Sequence, residues 1–182
     1  MKRILFYLLL ILCLSSIPAA AQEMLAPPEI PGNAVYIPFP AAIELDGSLD
    51  DWANIPQVIV TKGTMTSNNP SENGSFTFAL AADETHLYIT MSSVDATIIT
   101  GQHGSEYWNE DSLEFFLNLS DDRYATSYGN GIFQININPG DIGNTDPTAI
   151  TVTGVGSSQA QVQAYVFETP DGWGFEAAVP IS

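Results

Sequence analysis

A chain of 182 residues, 45% of them hydrophobic, has the length for one domain with a single core and little more. Its 21 acidic against 4 basic side chains, a net charge of −17, create a field that repels phosphate backbones and anionic lipid, which excludes nucleic acid as a partner. One cysteine, Cys13, allows neither a disulfide framework nor a thiolate metal site.

Residues 1–21 read as a secretory signal peptide. Lys2 and Arg3 form a basic start, Ile4 to Leu14 an apolar centre, and Ala19-Ala20-Ala21 before Gln22 a small-residue cleavage site. Cleavage there removes Cys13 and leaves only Lys62 and Arg123 to oppose the acidic residues. The mature chain is expected to be secreted or held at the cell surface. No apolar run after Gln22 approaches the roughly 20 residues needed to span a bilayer, so no transmembrane helix is expected in it.

Residues 22–40 hold Pro27, Pro28, Pro31, Pro38 and Pro40 and read as an extended leader. Ala42–Leu45 predicts a short strand, Asp46–Trp52 a turn with a single helical turn, and Gln57–Thr61 another strand. Thr64–Gly74, rich in Ser, Asn and Pro, predicts a surface loop. Phe76–Leu80 and Leu87–Met91 alternate apolar and polar residues around the short connection Asp83–Thr85, the pattern of a hairpin. After an irregular stretch from Asp95 to Ser105, the segment from Asp111 to Leu119 predicts a strand. It turns Leu113, Phe115 and Leu117 to one face and Glu114, Phe116 and Asn118 to the other.

Asp121–Gly131 connects this strand to Ile132–Asn138, where Phe133, Ile135 and Ile137 oppose an all-amide face of Gln134, Asn136 and Asn138. Ala149–Thr153 is a further β-branched run. Gln161–Glu168 and Trp173–Val179 form a last hairpin across Thr169-Pro170-Asp171-Gly172, with Trp173, Phe175, Ala177 and Val179 on one face. Eight or nine short strands and no persistent 3.6-residue apolar period predict an all-β fold. The expected architecture is an antiparallel β-sandwich of two packed sheets, immunoglobulin-like or jelly-roll-like, over residues 41–182. The halt at Ser182, directly after a strand, suggests that one or two strands follow.

If the strands around Glu114 and Gln134 are neighbours, their outer faces form a platform of Glu114, Asn118, Gln134 and Asn136, with Tyr107 and Trp108 at its edge. An aromatic body beside amides and a carboxylate suits a sugar. Two plainer readings stand beside this one: an ordinary solvated sheet face, and a tryptophan that only covers the sandwich edge. Trp52 and Trp173 are expected in the core. Asp46, Asp50 and Asp51 are hard oxygen ligands of the kind Ca²⁺ takes, although turn formation competes for them; Asp141, Asn144 and Asp146 form a second such loop. Glu110, Asp111 and Glu114 do not make a glycosidase pair, because Asp111 and Glu114 fall on opposite faces of one strand. His86 and His103 have no partner at a catalytic spacing, so no enzyme is expected.

Three motifs carry a resemblance: Ile43-Glu44-Leu45-Asp46-Gly47 followed by Trp52, Trp108-Asn109-Glu110-Asp111-Ser112-Leu113-Glu114-Phe115-Phe116, and Gly172-Trp173-Gly174-Phe175-Glu176-Ala177-Ala178-Val179-Pro180. In order and spacing they resemble the family 9 carbohydrate-binding module and its relatives. The resemblance implies a two-sheet sandwich, structural calcium, and binding of an oligo- or polysaccharide without catalysis, often beside a glycoside hydrolase domain in the same chain. It implies stacking by Trp108 and hydrogen bonding by Asp95. Gln134 stands where an arginine is common, a loss of one charge-assisted donor. The second aromatic wall of such sites comes from a segment beyond Ser182. A cell-surface structural domain without a working sugar site is the alternative. A haem-binding relative, ligated through Met65, Met91, His86 or His103, is a third.

Overall fold

A computed structural model describes residues 35–60, 73–104, 106, 109–122, 124–125, 127–150, 152–154 and 161–181. The expected signal peptide, most of the leader and nearly all of the expected loop from Thr64 lie outside these. The chain divides into a unit ending at Tyr36 and a unit from Ile37 to Ser182, and the latter holds every strand described.

Nine strands follow in order: β1 (Val58–Val60), β2 (Asn73–Ala82), β3 (His86–Asp95), β4 (Leu113–Asn118), β5 (Ile132–Ile137), β6 (Thr148–Ala149), β7 (Val152–Gly154), β8 (Gln163–Thr169) and β9 (Gly172–Pro180). They build a six-stranded sheet in the order β1-β2-β3-β9-β8-β6 and a three-stranded sheet β4-β5-β7, with every pairing antiparallel. The expected all-β, antiparallel sandwich is the fold observed.

The period-two reading holds where it mattered most. Ile89 and Met91 of β3, Val166 of β8, Trp173, Phe175, Ala177 and Val179 of β9, and Ile135 and Ile137 of β5 form the main core. Phe76, Phe78 and Leu80 of β2 and Leu113, Phe115 and Leu117 of β4 pack against it. The turn at Thr169–Gly172 closes the last hairpin in the expected register, with Thr169 opposite Gly172.

Three expectations are corrected. Ala42–Leu45 belongs to no strand, although Ala41, Ile43 and Leu45 still turn inward; their alternation serves packing without a ladder. Ala149–Thr153 is not one strand. The chain changes sheets inside it, with Thr148–Ala149 pairing β8 and Val152–Gly154 pairing β5, and Ile150 N–H meets Val162 O at 2.9 Å at the crossing. Gly74 lies within β2, which begins at Asn73 with a register irregularity before Ser75.

The larger sheet is covered on both faces. Its outer side carries Ala79, Ala81 and Ala178, residues small enough to admit Trp52, which is 2% exposed and shares this cluster with buried Ile55 and Tyr88. Burying an indole of that size is worth roughly 2 to 3 kcal/mol. Under this cover Glu176 is fully buried, its Oε1 accepting from Trp52 Nε1 at 2.7 Å and its Oε2 from Gly47 N–H at 2.8 Å.

Candidate functional site

The antiparallel register of β4 and β5 sets Glu114 opposite Asn136 and Phe116 opposite Gln134. Since Leu113, Phe115, Leu117, Ile135 and Ile137 face the core, these four side chains share the outward face of the smaller sheet. Asn136 Nδ2 donates to Glu114 Oε1 at 3.2 Å, which joins the two strands across the platform. Gln134 Oε1 accepts from the hydroxyl of Tyr128 at 2.5 Å, and the Tyr128 ring stands 6.3 Å from that of Phe116. Glu114, Gln134 and Asn136 are therefore brought together as the sequence pattern required.

Asn118 does a different job from the one expected. Its Nδ2 donates to Asp122 O at 2.8 Å, and its Oδ1 accepts from the N–H and hydroxyl of Ser120, so its polar atoms staple the loop after β4. Tyr107 and Trp108 lie outside the described residues. The segments on either side of them are tied down by two acidic neighbours. Glu110 accepts the N–H groups of Gly101 and His103, and Asp111 exchanges two bonds with Ile99, one through its carboxylate and one through its own N–H. The His103 N–H foremost, aided by that of Gly101, holds the Glu110 carboxyl below its usual range despite desolvation. Desolvation pushes Asp111 up, against the Ile99 N–H and with the charge of Asp95 adding to it.

Asp95 sits at the end of β3 in the larger sheet, apart in its recorded partners from Glu114, Gln134 and Asn136. Its Oδ1 accepts from Thr97 N–H at 3.0 Å, its N–H donates to Asp171 O at 2.8 Å, and its carboxyl lies near enough to that of Asp111 to help raise it. It lines an open hollow of about 510 Å³ with Val94, Ala96, Ile98 and the turn at Pro170–Gly172.

The aspartates considered for calcium have turn partners. Asp46 Oδ1 accepts from Ser48 N–H and Asp51 Oδ2 from Glu44 N–H, both at 2.8 Å, while Asp50 opens the 3-10 turn that ends at Trp52. In the second loop Asp141 Oδ2 accepts from Thr148 Oγ1 and Asp146 Oδ2 from Thr145 Oγ1. Among the described residues no three or more His, Cys, Asp or Glu side chains gather as a metal site. Of the residues considered for haem, Met91 is buried in the main core and His103 faces Glu110 Oε1 at 3.4 Å. Met65 lies outside the described residues.

Sequence reasoning missed Tyr128. It treated Asp121–Gly131 as a connector, yet a tyrosine in a polar, glycine-containing loop between two platform strands was the available signal.

The sequence profile described as "Carbohydrate family 9 binding domain-like" matches residues 45–182. No match was found among curated proteins. Two solved structures of a family 9 carbohydrate-binding module from Caldicellulosiruptor kristjanssonii share the fold. The one in complex with cellotriose has a TM-score of 0.59 and 24% identity over 78% of this chain and 65% of its own. The one in complex with glucose has a TM-score of 0.58 and 23% identity over 81% and 69% respectively. This chain thus spans just under two thirds of the length of the first. Since the profile covers well over half of the sequence, including the three motifs almost entire, the chain belongs to the carbohydrate family 9 binding domain-like family.

Proposed function

We propose that this chain is a non-catalytic module that holds a saccharide on the outer face of β4 and β5. The observation that carries the reading is the Asn136–Glu114 hydrogen bond across the exposed face, beside Gln134 and six residues along the sequence from Trp108. A sugar offers hydroxyl groups to such a carboxylate and amides and a C–H face to an indole. Family membership and the glucose and cellotriose complexes of its structural neighbours support gluco-oligosaccharides as the first ligands to try.

Affinity electrophoresis through gels containing soluble polysaccharides tests this directly. The wild type is retarded on at least one polysaccharide, and Trp108→Ala or Glu114→Gln abolishes the retardation. Equal mobility of all three proteins in every gel refutes it.

Export through the segment 1–21 and a polysaccharide-degrading enzyme domain on the same polypeptide complete the reading. Among the described residues no helix is long and apolar enough to cross a membrane. Structural calcium rests on family resemblance alone, since the carboxylates of Asp46 and Asp51 serve backbone N–H groups and do not converge as a cation site. If the loop at Asp46–Asp51 takes the ion, chelation lowers Tm and added Ca²⁺ restores it; a Tm indifferent to both removes calcium from the account. One observation favours the alternative of a structural domain without a sugar site: Gln134 Oε1 is already engaged by Tyr128. That alternative predicts no retardation on any gel.

A further inference from the structure

The connection from β3 to β4 is irregular, yet two acidic side chains at its far end hold it in register. Asp111 forms the first rung: its carboxylate accepts from Ile99 N–H, and its own N–H donates to Ile99 O at 3.0 Å. Glu110 forms the second. Its Oε2 accepts from Gly101 N–H and its Oε1 from His103 N–H, and the Gln102 N–H between them is turned to the same carboxyl. Successive N–H groups converging on one anion make a backbone nest, and here the chain fills the nest with a side chain of its own. Gly101 permits it, since its φ of +70° is left-handed while the space around a Cβ there is empty.

The second rung is covered by the residues it ties. The Glu110 side chain is 6% exposed, although Gly101, Gln102 and His103 are themselves exposed. His103 Nδ1 lies 3.4 Å from Glu110 Oε1, so protonation of that ring adds an ion pair to the hydrogen bonds. On the near side of the first rung, Ile98 packs against the main core. Beyond the second, Glu106 N–H donates to His103 O at 3.1 Å and Asn109 N–H to Glu106 O at 2.9 Å. Both Glu110 oxygens are taken by backbone donors, so this carboxylate does not face a ligand. In sequence, Trp108 stands two residues before it, inside the loop that the second rung closes, and Glu114 four residues after it, on β4.

We infer that Glu110 is a positioning residue of the saccharide site: without touching the ligand, it holds the β3–β4 connection to the start of β4 and so limits, before a sugar arrives, the arrangements open to the loop in which Trp108 stands. This rests on the saccharide-binding function proposed above and adds how the site is prepared. A loop without a tether samples many arrangements, and apparent affinity is the intrinsic one scaled by the fraction of molecules in the binding-competent arrangement. A carboxylate accepting several N–H groups is a strong tether, because each of those bonds is charge-assisted. The effect is reciprocal by linkage: if the clasp favours the bound arrangement, the sugar favours the clasp.

Residue-resolved amide hydrogen exchange by NMR, together with isothermal titration using glucose and cellotriose, tests the inference on the mature protein. In the wild type the Gly101, Gln102 and His103 amides are protected, and saturating sugar slows their exchange further. Glu110→Gln keeps the shape but offers a single acceptor oxygen. In it the three amides exchange about tenfold faster and sugar affinity falls about tenfold, the change expected when the competent fraction drops to about one-tenth. Gly101→Ala strains the nest from its other side and moves both readouts the same way, whether or not Glu110→Gln folds; circular dichroism checks each variant. A tie that is merely structural gives fast amides in Glu110→Gln with unaltered affinity, and wild-type amides indifferent to sugar. That result overturns the inference and leaves saccharide binding standing, as do wild-type amides that exchange freely. No binding of either sugar and no retardation on any polysaccharide gel overturn the binding function and the inference with it.

Discussion

Replacing Glu176 by glutamine isolates what a buried carboxylate does for this fold. Glu176 on β9 is 0% exposed, its Oε1 accepting from the Trp52 indole N–H at 2.7 Å and its Oε2 from the Gly47 N–H at 2.8 Å, with the Asp46 N–H also turned to the carboxyl. An amide of the same shape has one oxygen, so in either orientation its NH₂ group confronts one of those donors. A buried donor left unsatisfied costs about 1 to 3 kcal/mol. Desolvation pushes the Glu176 carboxyl above its ordinary range, with the bonds from Trp52 and Gly47 opposing the rise. A carboxyl raised on folding binds its proton more tightly in the folded state. Its contribution to stability is therefore greatest below the unfolded value and falls as pH rises through the folded one.

Glutamine does not titrate. A protonated carboxyl can turn its single O–H aside, whereas the two amide N–H bonds are fixed in plane. The stability gap between wild type and Glu176→Gln is accordingly widest in acid, below the unfolded carboxyl value, at about 1 to 3 kcal/mol, and narrows as pH rises toward neutrality. Thermal unfolding followed by circular dichroism at a series of pH values reads it at about 4 °C per kcal/mol for a unit of this size. A gap that stays constant with pH, or widens toward neutrality, refutes the reasoning.

The hairpin turn before β3 gives a prediction of opposite sign. The Tyr88 hydroxyl foremost, then the N–H groups of Thr85 and His86, hold the Asp83 carboxyl far below its usual range. The stability Asp83 contributes is present above the unfolded carboxylate value and is lost as pH falls through the lowered folded one. Asp83→Asn lowers Tm at neutral pH, and the difference closes in strong acid. Desolvation, then the hydrogen bond to Asp83, pushes Tyr88 up to about 12. Spectrophotometric titration then finds one tyrosine ionising near that pH, and Asp83→Asn moves it down; no late tyrosine contradicts the pairing. Gly174→Ala sets a Cβ 2.6 Å from the main-chain oxygen of Met91, where neither strand has room to yield. Urea unfolding shows a loss of about 2 to 3 kcal/mol, and a change below about 0.5 kcal/mol speaks against so close an approach of β9 to β3.

The strands were legible because alternation is a local property. Leu113, Phe115 and Leu117 share a side of β4 by the geometry of an extended chain, whatever lies next to them, and Trp173, Phe175, Ala177 and Val179 do so on β9. Even the meeting of Glu114 with Asn136 followed, since two neighbouring strands with their apolar sides turned to one core must align their polar sides. Ala42–Leu45 misled for the same reason: alternation reports which side chains turn inward but not whether the backbone finds a ladder.

The amino-acid sequence alone determined the class of the fold, the final hairpin and the polar platform, all consequences of a two-residue period and of turn chemistry within a few residues. Only the tertiary structure decided what lies over each face. Period two predicts an outward side chain at Glu176, and it is buried because Trp52, 124 residues earlier, folds over the alanines beside it. The change of sheet at Ile150 and the anchoring of Tyr128 on Gln134 belong to the same kind of decision. An alternating strand has two sides, and which of them meets water is settled by segments far away in the chain.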